Sequence, residues 1–171
     1  MEEREIERTF LVNNLPANIA EVKNHVIKVG DFFDSNTIDA LKIKQKGNKY
    51  FLIKKVGKNG FDRIEHAIEI KKGEFDVLWK VTLQNHQKVR YFYPLGKYLC
   101  EIDCYKDRLD GYVRVEVEFP NEEQANKFVA PDWFGEEITE HNHDIHEDLG
   151  IISFSDMEQR FREKNIQLKK L

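Results

Sequence analysis

Polar and apolar residues alternate with a period of two through most of this chain, which is the signature of strands with two unlike faces. The alternation runs over Glu3 to Val12, Ile38 to Lys46, Lys49 to Val56, Phe61 to Ile70, Lys88 to Pro94, Lys97 to Tyr105 and Gly111 to Phe119, with a short further stretch from Glu136 to Ile138. Gly47-Asn48 and Leu95-Gly96 read as tight hairpin turns, and Gly57-Lys58-Asn59-Gly60 as a longer one. Helical spacing separates some of these segments. Pro16 to Lys28 opens with a proline suited to a first helical turn. Glu74 to Leu83 repeats apolar residues at Phe75, Leu78 and Val81. Asn121 is placed to cap Glu122 to Val129, and Ser155 to cap the helix that runs to Asn165, followed by Asp156 and Glu158. Strands in hairpin succession, with few helices, predict a mainly β fold, either a sandwich or a barrel.

The charges follow the same period. Residues two apart on a strand point the same way. Glu5 therefore shares a face with Glu7, Lys42 with Lys44, Lys49 with Lys55, Arg63 with Glu65, Lys88 with Arg90, and Glu101 with Asp103; Arg114, Glu116 and Glu118 lie together. The opposite faces carry Ile6, Leu41, Ile43, Leu52, Ile64, Val89, Tyr91, Ile102, Val113, Val115 and Val117. Two arrangements satisfy this pattern. The charged faces are solvated over an apolar core, or they line the inside of a barrel whose apolar outside is covered by helices. Charges of both signs enclosed in one cavity need partners or a ligand. A polyphosphate with a divalent metal satisfies both signs, because carboxylates hold the metal while lysines and arginines hold phosphate oxygens. Periodicity alone does not choose between the two.

Composition narrows the partners. The 171 residues suit one domain, and a net charge of −4 from 27 basic and 31 acidic residues gives no reason to expect nucleic acid. The longest apolar runs fall far short of a membrane span. The charged start, Met1-Glu2-Glu3-Arg4-Glu5, lacks the apolar stretch of a signal peptide. Cys100 and Cys104, on one strand, would stand roughly 13 Å apart, beyond disulfide reach. Two free thiols give the expectation of a cytoplasmic protein. A monomer or a homodimer is expected. His141-Asn142-His143-Asp144-Ile145-His146 has ligand-like spacing for zinc or nickel, but reads better as a surface loop or helix start.

The order of the motifs does choose. Glu5-Ile6-Glu7-Arg8-Thr9-Phe10-Leu11-Val12 resembles the N-terminal E-x-E-x-K stretch of the CYTH family, the triphosphate tunnel metalloenzymes. Leu41-Lys42-Ile43-Lys44 resembles the family's V-R-I-R strand, Tyr50 to Lys55 its Y-x-L-T-I-K, and Arg63-Ile64-Glu65 its R-x-E. Lys88-Val89-Arg90-Tyr91 resembles K-x-R-Y, Glu101 to Tyr105 resembles E-x-D-V-Y, and Val115 to Phe119 resembles A-E-V-E-F. Trp133 to Thr139 resembles W-L-G-x-E-V-T, so the likeness runs from about residue 3 to about residue 150. Thr9 departs from it, standing where the family has lysine, and Lys42 and Lys44 stand where arginine is usual.

The resemblance implies an eight-stranded closed antiparallel β-barrel with surrounding helices, formed by residues 1–150, with a C-terminal helix in 151–171 packed on it. It implies hydrolysis of an inorganic or organic triphosphate, with Mg²⁺ or Mn²⁺ bound by Glu5, Glu7, Asp103, Glu116 and Glu118. Lys42, Lys44, Lys55, Arg63, Lys88, Arg90 and Arg114 would hold the phosphates, and Lys55, Glu5 and Glu7 would act in catalysis. Family members also include adenylate cyclases that convert ATP to cyclic AMP. A chain lacking the family lysine also fits a triphosphate binder without activity.

Overall fold

Strands form where the period-two pattern predicts them, and in one place where it was masked by helix-compatible residues. A computed structural model describes residues 6–33, 40–59, 62–141 and 149–171, with backbone alone for 55–59 and 62–65. Its strands are β1 (Ile6–Val12), β2 (Asn24–Asp31), β3 (Ala40–Lys46), β4 (Lys49–Asn59), β5 (Asp62–Ile70), β6 (Gln84–Leu95), β7 (Tyr98–Tyr105), β8 (Val113–Phe119) and β9 (Phe134–Glu137). The helices are α1 (Lys72–Trp79), α2 (Glu122–Lys127) and α3 (Phe154–Glu163). The strands form one antiparallel sheet in the order β5-β4-β3-β2-β6-β7-β8-β1-β9. Among the described residues this order is linear and has nine members, where the sequence predicts a closed ring of eight.

The extra member is β2, within the stretch Pro16 to Lys28 that reads as a helix. Only a 3₁₀ turn forms there, at Ile19–Glu21, and Asn24–Asp31 is extended. Val26, Ile27 and Val29 are β-branched and lose side-chain freedom in a helix, and pairing with β3 from Ile27↔Lys46 to Asp31↔Lys42 satisfies the backbone instead.

The chain divides into two compact units: residues 1–24, 89–146 and 153–171 in the first, and 25–88 with 147–152 in the second. In the first, Phe10, Val12, Cys100, Ile102, Val115, Val117 and Phe119 form a continuous apolar layer. Each such large side chain contributes roughly 1.5–3 kcal/mol by leaving water. Asn121 caps α2 by accepting from the Gln124 N–H at 2.9 Å. The chain just beyond brings Phe128 edge-on to Phe119, with ring centres 5.2 Å apart. Arg8, on the same side of β1 as Phe10, donates to Glu137 on β9 and to the carbonyls of Ala125 and Phe128. The Arg8 hydrogen bonds to Glu137 hold its carboxyl below its ordinary pKa. Ser153, not the expected Ser155, caps α3 by accepting from the Asp156 N–H; the helix buries Met157 and Phe161 and brings the Phe161 ring to 6.0 Å from Tyr112.

In the second unit β3 and β4 form the expected hairpin, Lys46 opposite Lys49, with Gly47 at the positive φ of +59° that so short a turn requires. Helix α1 buries Phe75 against Tyr50, ring centres 5.1 Å apart, and stacks it on Trp79 at 5.6 Å. Gly30 permits the close packing of this segment, since a Cβ there would lie 2.5 Å from Thr82 Cγ2. No helix among the described residues is long and apolar enough to cross a membrane.

Candidate active site

Register builds the charged face of the first unit. Glu7 pairs with Glu118, Thr9 with Glu116, and Leu11 with Arg114 across β1 and β8. Glu101 pairs with Glu116, and Asp103 with Arg114, across β7 and β8. Directly paired residues project from the same side of a sheet. Thr9, Glu116 and Glu101 thus make one row, and Leu11, Arg114 and Asp103 the next. Arg90 of β6 reaches into both. Its Nε and Nη2 donate to the two Asp103 oxygens at 2.7 Å each, a two-pronged fork. The same Nη2 donates to Glu116 Oε2 at 2.8 Å, and Nη1 donates to Glu101 Oε2. Arg114 Nη2 lies 2.9 Å from Glu116 Oε1 and 3.5 Å from Asp103 Oδ2.

This network is largely withdrawn from water: the Asp103 side chain is 0% exposed and that of Glu116 12%. Burial works against the Arg90 charge, but the Asp103 hydrogen bonds and the charges of Asp103, Glu101 and Glu116 outweigh it and raise its pKa. One end of the face is closed by aromatic rings. Tyr105 lies beneath the Arg114 guanidinium, which stands 6.0 Å from its ring centre, and Tyr112 packs on Tyr105 at 4.9 Å. Cys100 and Cys104 point to the apolar side, where burial pushes their thiols up to about 12 and about 11. They are free thiols and too little ionised for nucleophilic work.

The balance of this face is anionic. Arg90 and Arg114 meet Asp103, Glu101 and Glu116, and Glu7 and Glu118 add two exposed carboxylates directly across from one another. Like charges in direct register destabilise a strand pair unless a cation lies between them. The donors are all oxygen, the chemistry that Mg²⁺ and Mn²⁺ select, so the residues fit a divalent ion. Among the described residues no three acidic, His or Cys side chains already stand grouped as ligands. Thr9, 1% exposed, carries a buried hydroxyl on this face without a hydrogen-bond partner among the described residues.

The second unit has a different face. Lys42 Nζ is 2.9 Å from Asp31 Oδ1, and register places Lys42 beside Asp31 and Ile53, and Lys44 beside Val29 and Phe51. Lys88, near the start of β6, is 8% exposed. Lys55 pairs through its backbone with Ala40 and Glu65, and Arg63 with Gly57. The side chains of Lys55 and Arg63, all of Glu5, and His143, Asp144 and His146 lie outside the described residues.

Of the expected site residues, then, Arg90, Asp103, Arg114 and Glu116 meet in one network, and Glu7 and Glu118 face each other. Lys42 and Lys44 lie on one face of the second unit. Glu101 was on the charged face by parity but outside the expected ligand sets, and it proves to be a partner of Arg90. Asp31, the partner of Lys42, follows the stretch that reads as a helix, where no strand parity flags it.

No family model matches the chain. It is 36% identical over 141 residues to an inorganic triphosphatase of Nitrosomonas europaea, covering 80% of this chain and 89% of that one. It is 28% identical over 139 residues to an inorganic triphosphatase of Acetivibrio thermocellus, with 80% and 86% covered. A crystal structure of an inorganic triphosphatase, 32% identical, matches 87% of this chain and 95% of its own with a TM-score of 0.74.

Proposed function

The chain belongs to the CYTH family of triphosphate tunnel metalloenzymes, and from that premise we propose that it hydrolyses a triphosphate, inorganic tripolyphosphate first among them, to a diphosphate and phosphate. The observation that carries this reading is the pairing of Arg90 and the buried Arg114 with an excess of carboxylates on one sheet face. A polyphosphate needs cations along its oxygens, and a metal needs hard oxygen donors beside them. This face offers both.

Water attacks the terminal phosphorus, the bridging P–O bond breaks, and the electron pair leaves with the diphosphate. Arg90 and Arg114 bind the phosphate oxygens and neutralise the charge that develops on them, with Lys42, Lys44, Lys55, Arg63 and Lys88 as further phosphate contacts. Glu7, Glu116 and Glu118, together with Glu5, would hold Mg²⁺ or Mn²⁺. When bound, that ion supplies positive charge to the phosphate oxygens. Asp103 serves as a positioning residue, because its side chain is fully buried and both its oxygens accept from the one Arg90 guanidinium. A carboxylate of the E-x-E pair, Glu5 or Glu7, takes the proton of the attacking water, and Lys55 gives one to the leaving oxygen. Closure of the sheet into a tunnel belongs to the same proposal, as do residues 1–150 as its domain with 151–171 packed on it. A reducing, cytoplasmic setting fits the two free thiols.

The experiment is a panel of tripolyphosphate, thiamine triphosphate and ATP, each with Mg²⁺ and with Mn²⁺, read for phosphate and for cyclic AMP. Phosphate release is expected, with tripolyphosphate turned over fastest, and it should vanish in the Glu5→Gln, Glu7→Gln double variant while the fold persists. Cyclic AMP as the main product, or silence with every substrate, would overturn the reading. Unchanged turnover in the double variant would sink the metal assignment.

A further inference from the structure

Three carboxylates hold Arg90, and they do not hold it alike. Asp103 is fully buried and grips the Nε and Nη2 edge with both oxygens. Glu116 is shared with Arg114. Glu101 alone takes Nη1, and its side chain is 35% exposed. A guanidinium forked on one carboxylate still presents its Nη1 hydrogens for a second anion. Glu101 therefore occupies the edge of Arg90 that a phosphate oxygen would use. Beside it opens a cleft of about 440 Å³ lined by Lys97, Tyr98, Leu99, Glu118, Phe119 and Gln124. Lys97 belongs to that cleft, where its ammonium donates to Gln124 Oε1 at 2.8 Å.

We infer that Glu101 is a removable cap on Arg90. It holds Nη1 in the empty protein and yields it to a phosphate oxygen, while its carboxylate turns into the adjoining cleft toward Lys97. Asp103 stays in place throughout and keeps the guanidinium aimed. The cap sets a threshold. A ligand must gain more from several phosphate contacts than it loses by displacing one carboxylate. The cap lowers the affinity of every ligand that needs Nη1 by the same factor, so a three-phosphate chain, with its other contacts, still binds while single phosphate leaves readily. The inference rests on the triphosphate reading above.

The test is calorimetry of tripolyphosphate and of inorganic phosphate with metal-free protein, comparing wild type, Glu101→Ala and Glu118→Ala. Glu118 shares the cleft but has no hydrogen bond or ion pair to Arg90 among the described residues, so it reports the effect of removing one nearby negative charge. If the cap covers Arg90 most of the time, Glu101→Ala should tighten tripolyphosphate by about three- to tenfold. Inorganic phosphate should gain by a similar factor, and Glu118→Ala should change either by less. Glu101→Gln, which keeps the shape, should move affinity the same way by a smaller factor. An affinity in Glu101→Ala no tighter than wild type, or no tighter than Glu118→Ala, overturns the cap. If no metal-free form binds tripolyphosphate, the turnover panel with Mg²⁺ and Mn²⁺ still judges the proposed function, and the Nη1 hydrogens of Arg90 decide the cap by nuclear magnetic resonance. Faster exchange in Glu101→Ala upholds it, and unchanged exchange overturns it.

Discussion

The two units carry charged faces of opposite construction. In the first, Arg114 is buried and Arg90 largely so, both locked into a network in which Asp103 has no exposed surface at all. In the second, Lys42 is half-buried, meets Asp31, and is flanked by Ile53, with Lys44 beside Val29 and Phe51. Arginine presents a planar fork that two carboxylates can fix in orientation, whereas a lysine is a flexible point charge that a single partner does not aim. The first face is thus organised before any ligand arrives, and its organisation is tied to the stability of the fold. Lys88 apart, which is buried, the lysines of the second are a supply of positive charge that adapts to what it meets.

That contrast can be broken most sharply at Asp103. Removing its charge in Asp103→Asn leaves Arg90 and Arg114 buried with less compensation, so the protein should lose about 3–5 kcal/mol. Urea unfolding measures this, and a loss under about 1 kcal/mol would show that the network is no more tightly bound to the fold than the lysine face. Lys42→Ala sharpens the other side. Its ion pair with Asp31 is half-solvated, so stability should change by less than about 1 kcal/mol. The KM for tripolyphosphate should nevertheless rise, by roughly tenfold for one lost charge-assisted contact. A stability loss matching that of Asp103→Asn would erase the distinction. The smallest effect is expected at Thr9, whose buried hydroxyl has no partner among the described residues. Thr9→Val should leave stability unchanged or raise it by up to about 1 kcal/mol. Under the proposed function that hydroxyl donates to a phosphate oxygen, so tripolyphosphate affinity should fall severalfold. A marked loss of stability would mean that the Thr9 hydroxyl is already used within the protein.

Much of this was legible in the chain. Alternation placed β1, β3, β4, β5, β7 and β8 within a few residues, and parity put Arg90, Glu101, Asp103, Arg114 and Glu116 on faces that the structure shows to be charged. The β2 strand was hidden. Its approach, Ala17 to Lys23, is compatible with a helix, and the signal in Val26, Ile27 and Val29 is outweighed unless a strand partner is known. That partner, β3, supplies backbone hydrogen bonds that no local window contains.

What the sequence determined by itself was the set of faces, because side-chain direction along a strand depends only on a backbone period of two. It also determined the family, because motif order is a property of the chain. Which acid holds which base was decided only by tertiary structure. Asp103 lies across from Arg114 and Glu101 across from Glu116 through the β7–β8 register, and Arg90 joins them from a third strand. Those pairings join residues up to 26 positions apart, and burial then sets their strength. A carboxylate in water and the same carboxylate sealed beneath two guanidinium groups have the same letter in the sequence, and only the packing around Asp103 makes it a fixed support while Glu101, at the open edge, remains free to move.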